Sequence, residues 1–298
     1  MSFSNISPHT RTLEYQREVY KLFERYRPEA NYPVYPPYHQ GLYLEEYFCK
    51  TFQDLEEDPR QILIPVHWTN CYKLTNDRGV PGLQLALDSL SPDYKYFVVC
   101  THDDAPREKL PPGTKCYAAG GNAGGTPIPL ICSSIPPVDN SSEKDIFASF
   151  VGSITHNIRG ALYDVLANNK KYFIDVKRWT PSISTLAQNN FLDIMKRSDF
   201  SLCPRGYGST SYRLYESMQL DSIPVYISDE FWLPWEDEID WHSFCIFINP
   251  HRLHEIDPIL SSISDEEKKE MRKAMKLAYN KYFTLERVAS RIMEDVTK

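Results

Sequence analysis

The 298-residue chain has no Cys-x-x-Cys spacing, no surplus of basic charge, no internal repeat and no long apolar run. Each absence removes a class of protein. The seven cysteines, at 49, 71, 100, 116, 132, 203 and 245, are scattered and odd in number. They specify neither a disulfide framework nor a zinc ribbon, and they fit a reducing compartment. With 33 basic residues against 40 acidic ones, the net charge of -7 excludes a generally basic footprint, so no nucleic-acid partner is expected. No apolar stretch reaches the ~18–20 residues that span a bilayer. The first eleven residues are polar rather than leader-like, so the expectation is a soluble, cytoplasmic protein without a membrane span.

What is present is alternation. Helical spacing of Tyr15, Val19, Leu22 and Phe23 predicts a first helix, and the Tyr/Pro mixture at 32–38 predicts extended or turn backbone because proline fixes φ and withholds a donor. Strands are predicted at 62–66, 96–100 and 129–132, with a helix at 82–90 and a mobile loop at 113–126. A polar, turn-forming stretch at 136–144 reads as the linker. The expected domains are therefore 1–142 and 143–298. In the second half, strands at 146–151, 172–176, 200–203 and 223–227 alternate with helices at 158–166, 185–197 and 209–220. The first of these helices is read with Ile158, Leu162, Val165 and Leu166 on one face. Such a βαβ series is half of a doubly wound α/β fold. A capping box at Ser264-Asp265-Glu266-Glu267 opens a further helix, and Thr284 precedes a last one.

The strongest local signal is the passage from strand 200–203 through Pro204-Arg205-Gly206-Tyr207-Gly208 into a helix expected to start at Ser209. Glycines let backbone N–H groups face a ligand, and a helix N-terminus favours an anion, so a pyrophosphate suits the turn. With Ser209, Arg213 and Glu216 at i, i+4 and i+7, one stripe would carry a phosphate cation and a ribose acceptor while Leu214 and Met218 face the core. Away from such a turn, Arg213 and Glu216 would be an ordinary surface ion pair. A second strand, glycine and helix start, from Phe150 and Gly152 to Arg159, places a cation at the wrong end of a helix dipole, a misfit that a bound anion relieves. Gly206-x-Gly208-x-x-Ser211 lacks the third glycine of the dinucleotide fingerprint, although Asp229 lies near the distance of a ribose-binding acid, so an NAD-dependent oxidoreductase stays open on this chemistry.

Five elements in order resemble the exostosin domain of glycosyltransferase family 47. They are Phe200-Ser201-Leu202-Cys203-Pro204-Arg205-Gly206, Ser211-x-Arg213-Leu214-x-Glu216, Ile223-Pro224-Val225, Leu233-Pro234-Trp235 and Asp240-Trp241, with Phe150-x-Gly152 to Arg159 upstream. The resemblance implies the GT-B architecture, two Rossmann-like α/β domains facing a central cleft. The first domain would bind the acceptor and the second a UDP-sugar. It further implies transfer to a glycan hydroxyl with inversion, with no cofactor and no metal. The donor-binding set it implies is Arg159, Arg205, Gly206, Gly208, Ser209, Thr210, Ser211, Arg213 and Glu216. The compact chain without an anchor is also similar to exostosin-like proteins of large DNA viruses of algae, including a xylosyltransferase, which makes UDP-xylose the first choice of donor.

An inverting transfer needs a general base, and the candidates are His102, Asp103 and Asp104 after strand 96–100, with His67 after strand 62–66 as second choice. Tyr35, Tyr38, Trp68 and Tyr72 are candidates for an acceptor platform, because exposed rings stack on sugars. Trp232, Trp235 and Trp241 read as structural. A non-catalytic glycan-binding subunit with the same fold is the alternative from another functional class.

Overall fold

A computed structural model describes residues 8–29, 42–56, 58–132, 135, 143–180 and 183–297. In chain order the elements are α1 (Pro8–Leu22), α2 (Leu44–Gln53), β1 (Ile62–Leu63), α3 (Trp68–Leu74), α4 (Leu83–Asp88), β2 (Tyr96–Cys100), β3 (Lys115–Ala118) and β4 (Thr126–Pro127). There follow β5 (Ile146–Ser153), α5 (Asn157–Leu166), β6 (Tyr172–Lys177), α6 (Thr185–Arg197), β7 (Ser198–Pro204), α7 (Tyr212–Gln219), β8 (Ile223–Ile227) and β9 (Ile246–Ile248). Helices α8 (Ile256–Ser261), α9 (Asp265–Tyr282) and α10 (Leu285–Thr297) complete the chain. The strands form two all-parallel sheets in two separate α/β units, in agreement with the expected pair of Rossmann-like domains.

The first unit is drawn from Met1–Tyr32, Gly41–Ile128 and Leu285–Lys298. Its sheet runs β1-β2-β3-β4, with Ile62 opposite Tyr96, Val98 opposite Cys116 and Tyr117 opposite Thr126. All five residues of β2 are buried, as a parallel strand covered on both faces requires. Phe23, Trp68, Tyr72 and Leu83 pack into one core with Val98, while Phe48 and Phe52 of α2 meet Phe97 edge to face. Strand β3 lies inside the stretch read as a mobile loop. Glycines in the left-handed region, among them Gly113 and Gly124, turn the chain on either side of it. The strand expected at 129–132 is instead β4, a few residues earlier, and only an isolated bridge at Cys132 remains of the expectation.

The division between the units falls between Ile128 and Pro129, and the chain returns to the first unit at Leu285. The sequence reading put the boundary at 142 and kept every C-terminal helix in the second domain. Helix α10 buries Leu285, Val288, Ala289, Ile292 and Val296, and Asp295 accepts from Lys115 and the Tyr117 hydroxyl of β3. Its amphipathic pattern was legible, but a helical stripe does not encode which sheet it covers. Most of the expected linker at 136–144, like Tyr35 and Tyr38, lies outside the described residues.

The second unit carries the order β6-β5-β7-β8-β9. From β5 the chain crosses to β6 on one side and returns to β7 on the other, so β5 and β7 flank a topological switch point, where α/β sheets bind ligands at the strand carboxyl ends. Helix α7 begins at Tyr212, three residues later than expected, with Ser211 as its N-cap. Val165 of α5 is exposed, whereas Ile158, Leu162 and Leu166 are buried as read. Strand β9, too short to show a period, was not foreseen. Trp241 donates to the Pro234 carbonyl at 3.2 Å and packs with Trp235 on Phe283, which is a structural arrangement.

Candidate functional site

Three turns at the carboxyl end of the second sheet approach one another: 153–156 after β5, 205–211 after β7 and 228–231 after β8. Arg159, in the first turn of α5, is buried and donates to the carbonyls of Ser153 at 3.0 Å, Arg205 at 2.9 Å and Pro204 at 3.3 Å. One guanidinium thus ties the end of β5 to the end of β7. The expected helix-dipole misfit is real in position, yet these strand-end carbonyls are what offset it. Gly206 matters here by its missing side chain, since a Cβ would stand 3.2 Å from Arg159 Nη2.

Arg213 of α7 donates to the Val151 carbonyl, and its guanidinium carbon lies 4.5 Å from the centre of the Phe150 ring. The same ring takes Arg159 at 5.7 Å, so Phe150 is an aromatic floor under two cations. A Cβ at Gly152 would fall 2.8 Å from Arg213 Nη2. Both glycines therefore make room for arginines rather than supplying unusual backbone angles.

Arg205 is held by Asp229 at 2.7 Å, by Glu230 at 3.4 Å and by the Gly208 carbonyl at 3.2 Å. Ser209 donates to Glu230. Because α7 starts at Tyr212, Ser209 lies in the turn and not on the stripe of Arg213 and Glu216. Ser211 accepts from the Arg213 N–H at 3.4 Å as cap, and Thr210 has a buried hydroxyl with no hydrogen-bond partner among the described residues. Asp229, read as a ribose acid in the nicotinamide alternative, is instead the counter-ion of Arg205.

Glu216 is the outlier. It is 9% exposed, and its carboxyl has no hydrogen-bond or ion-pair partner among the described residues, so the surface ion pair with Arg213 does not form. Burial pushes its pKa up to about 7, against the opposing pull of Arg213. The Glu216 oxygens are not among the fully buried unpartnered atoms, so a donor such as a ligand hydroxyl can reach them.

The first unit treats its candidates differently. His102 contacts Asp77 through Nε2 at 3.2 Å, accepts from the Asp104 N–H at 3.2 Å, and is held down at about 4 mainly by burial. Asp104 pairs with Arg107 at 3.1 Å and accepts from Asn122 at 2.9 Å. The backbone of Asp103 is pinned by the Asn122 N–H at 3.1 Å and by Gly120, whose Cβ would collide with the Asp103 Cα. His67 bonds the Pro28 carbonyl at 3.0 Å and is shifted down by burial. Trp68 and Tyr72, read as an exposed platform, are fully buried in the core, because α3 turns them inward. Exposed rings stand instead at Trp179, Tyr207 and Phe231, beyond β6, β7 and β8.

Sequence reasoning missed Glu45 of α2. This fully buried carboxylate accepts from the Thr69 and Thr101 N–H groups at 3.0 and 2.6 Å and from both threonine hydroxyls. It ties α2 to the first turn of α3 and to the end of β2, and burial raises its pKa despite those four donors. Its only sequence signal was an acid on an apolar helix face. Among the described residues no helix is long and apolar enough to cross a membrane, and no cluster of three His, Cys, Asp or Glu could hold a metal.

Residues 126–263, which contain all three turns, match the exostosin GT47 domain. A probable beta-1,4-xylosyltransferase of Arabidopsis thaliana is 32% identical over 115 residues, 39% of this chain and 26% of that protein. A probable glucuronosyltransferase of Oryza sativa subsp. japonica is 30% identical over 115 residues, again 39% of this chain and 25% of the relative. The chain thus aligns with about a quarter of the length of these relatives. Among solved structures, WaaG, a glycosyltransferase involved in lipopolysaccharide biosynthesis, aligns at 11% identity over 99% of this chain and 85% of its own, with a TM-score of 0.41.

Proposed function

We propose, from the exostosin GT47 domain that this chain carries at residues 126–263, that the protein is a glycosyltransferase moving a sugar from a UDP-sugar to a glycan hydroxyl. The observation that supports this most is the meeting of Arg159, Arg205 and Arg213 with the unpartnered carboxyl of Glu216 at the switch point of the second sheet. Arginine stays charged at any working pH, so Arg159 and Arg213, held by carbonyls, keep a fixed positive field in a poorly solvated turn, and Arg205 adds a cation shared with Asp229 and Glu230. In this reading the field holds the diphosphate and stabilises it as the sugar leaves, the role a metal plays in other transferases. Gly206, Gly208, Ser209, Thr210 and Ser211 shape the turn, and the Thr210 hydroxyl supplies a further phosphate donor. Glu216 accepts from the ribose hydroxyls, which satisfies its buried carboxyl.

The transfer is proposed as inverting and metal-independent, with Asp103 as general base. Asp103 follows β2 at the carboxyl end of the first sheet, with its backbone carbonyl bonded by the Asn122 N–H. The first-choice donor is UDP-xylose, in line with the xylosyltransferase relative, followed by UDP-glucuronate. Seven reduced thiols support the cytoplasm as the compartment. Calorimetric titration with UDP, UDP-xylose, UDP-glucuronate, GDP and NAD, without metal and then with manganese, tests the reading. Metal-independent preference for UDP is expected. Preference for NAD, or no nucleotide binding at all, overturns it, and the latter with retained glycan binding favours a non-catalytic subunit.

A further inference from the structure

The turn between β5 and α5 holds one more group that the arginines do not account for. His156 is the N-cap of α5 in an extended conformation, and its Nδ1 accepts from the Ile158 N–H at 3.4 Å. That N–H is shared with the Asn157 Oδ1 at 2.8 Å, and in the tautomer in which Nδ1 accepts, the proton sits on Nε2 and the neutral ring presents an N–H donor. That Nε2 has no hydrogen-bond partner among the described residues.

The charged groups facing the ring come from three elements: Arg159 on α5, Arg205 at the end of β7, and Asp229 and Glu230 after β8. Burial, and next Arg205, hold His156 below the ordinary histidine value. The neighbouring Thr155 hydroxyl lies 3.6 Å from where a Cβ of Gly206 would be, so this turn closes directly on the β7 turn.

We infer that His156 is a phosphate-binding residue of the donor site, with Nε2–H donating to the diphosphate and the ring taking up a proton as that anion binds. This inference rests on the donor-site reading above. An arriving diphosphate supplies the anionic partner that the ring lacks, and an opposite charge at hydrogen-bond distance raises a histidine pKa. The captured proton then stands beside the oxygen on which charge develops when the glycosidic bond breaks and UDP departs. No oxidant or metal enters this balance: the sugar carbon exchanges one oxygen for another, the bonding pair leaves with UDP, and the imidazolium shares its proton with that UDP oxygen.

The experiment is calorimetric titration of the full chain with UDP near pH 6.5 in two buffers of different ionisation enthalpy, for wild type, His156→Asn and His156→Gln. Asparagine retains an N-cap acceptor, so His156→Asn keeps the structural role while removing the titrating ring. The expected result is net proton uptake by wild type, its loss in both variants, and UDP affinity about tenfold weaker, the value of one charge-assisted bond. Wild-type binding without proton uptake, or a His156→Asn protein with wild-type affinity and uptake, overturns this inference and leaves the donor site standing. Failure of wild type to bind UDP overturns both.

Discussion

The carboxyl ends of the two sheets both carry charged residues and hold them in different ways. In the first unit the charges cancel one another: Glu45 is saturated by four donors, His102 meets Asp77, and Asp104 meets Arg107. In the second, Arg159 and Arg213 are anchored on backbone carbonyls and on one aromatic ring, Arg205 is paired with Asp229 and Glu230, and the buried Glu216 carboxyl has no hydrogen-bond or ion-pair partner among the described residues. A carbonyl satisfies an arginine N–H without neutralising it, so Arg159 and Arg213 keep their charge, whereas Asp104 in the first unit meets an opposite charge on Arg107. Burial alone therefore does not mark a binding site. What marks it is burial without full compensation.

The comparison can be broken most forcefully at Asp103. If the first unit supplies only the base, Asp103→Asn lowers kcat for donor hydrolysis by about 10²–10⁴-fold while UDP affinity is unchanged. Equal loss of UDP binding would place Asp103 in the wrong role. Next in size is Glu45→Ala, which strands two buried N–H groups and costs about 4 kcal/mol of stability at roughly 2 kcal/mol each, read by urea denaturation. A change under 1 kcal/mol would show that the first unit does not depend on this cancellation.

Glu216 sharpens the contrast through pH. Its folded value of about 7 lies above the ordinary 4.5, so its stabilising contribution is present at pH 4.5 and below and is lost as pH rises through 7. The rise corresponds to roughly 3 kcal/mol. Glu216→Gln should flatten this part of the pH–stability curve and gain most over wild type above pH 7, where the wild-type carboxylate is charged and buried. Identical curves for the two proteins would contradict an uncompensated carboxyl. The smallest effect concerns binding: Arg213→Ala should weaken UDP by ~10–150-fold, the ~1.5–3 kcal/mol of a lost charged contact. Unchanged affinity in a folded variant would remove Arg213 from the site.

Much of this was legible beforehand for a physical reason. Long buried strands such as 96–100 and 223–227, and the helix at 185–197, declare themselves by local apolar period, and the structure places them where the pattern does. The strand read at 62–66 pairs only at Ile62 and Leu63, while the three-residue β9 is too short to carry a period and exists because β8 pairs with it. Arg159, Arg205, Arg213 and Glu216 were visible as chemistry, yet all four were read as facing a ligand, when Arg159 and Arg213 bond carbonyls near the strand ends and Arg205 pairs with Asp229 and Glu230.

By itself the sequence determined the parallel α/β class, the glycine turns after β5 and β7, and the order of the elements that resemble an exostosin domain, because these are properties of runs of a dozen residues or fewer. Tertiary structure alone decided that α10 returns to the first sheet, that Trp68 and Tyr72 are core, that Asp229 and Glu230 hold Arg205, and that the Glu216 carboxyl is buried with no partner among the described residues. The reason is common to all four. Each is a choice among partners distant in sequence, settled by which surfaces exclude water together and which charges are left facing one another when they do.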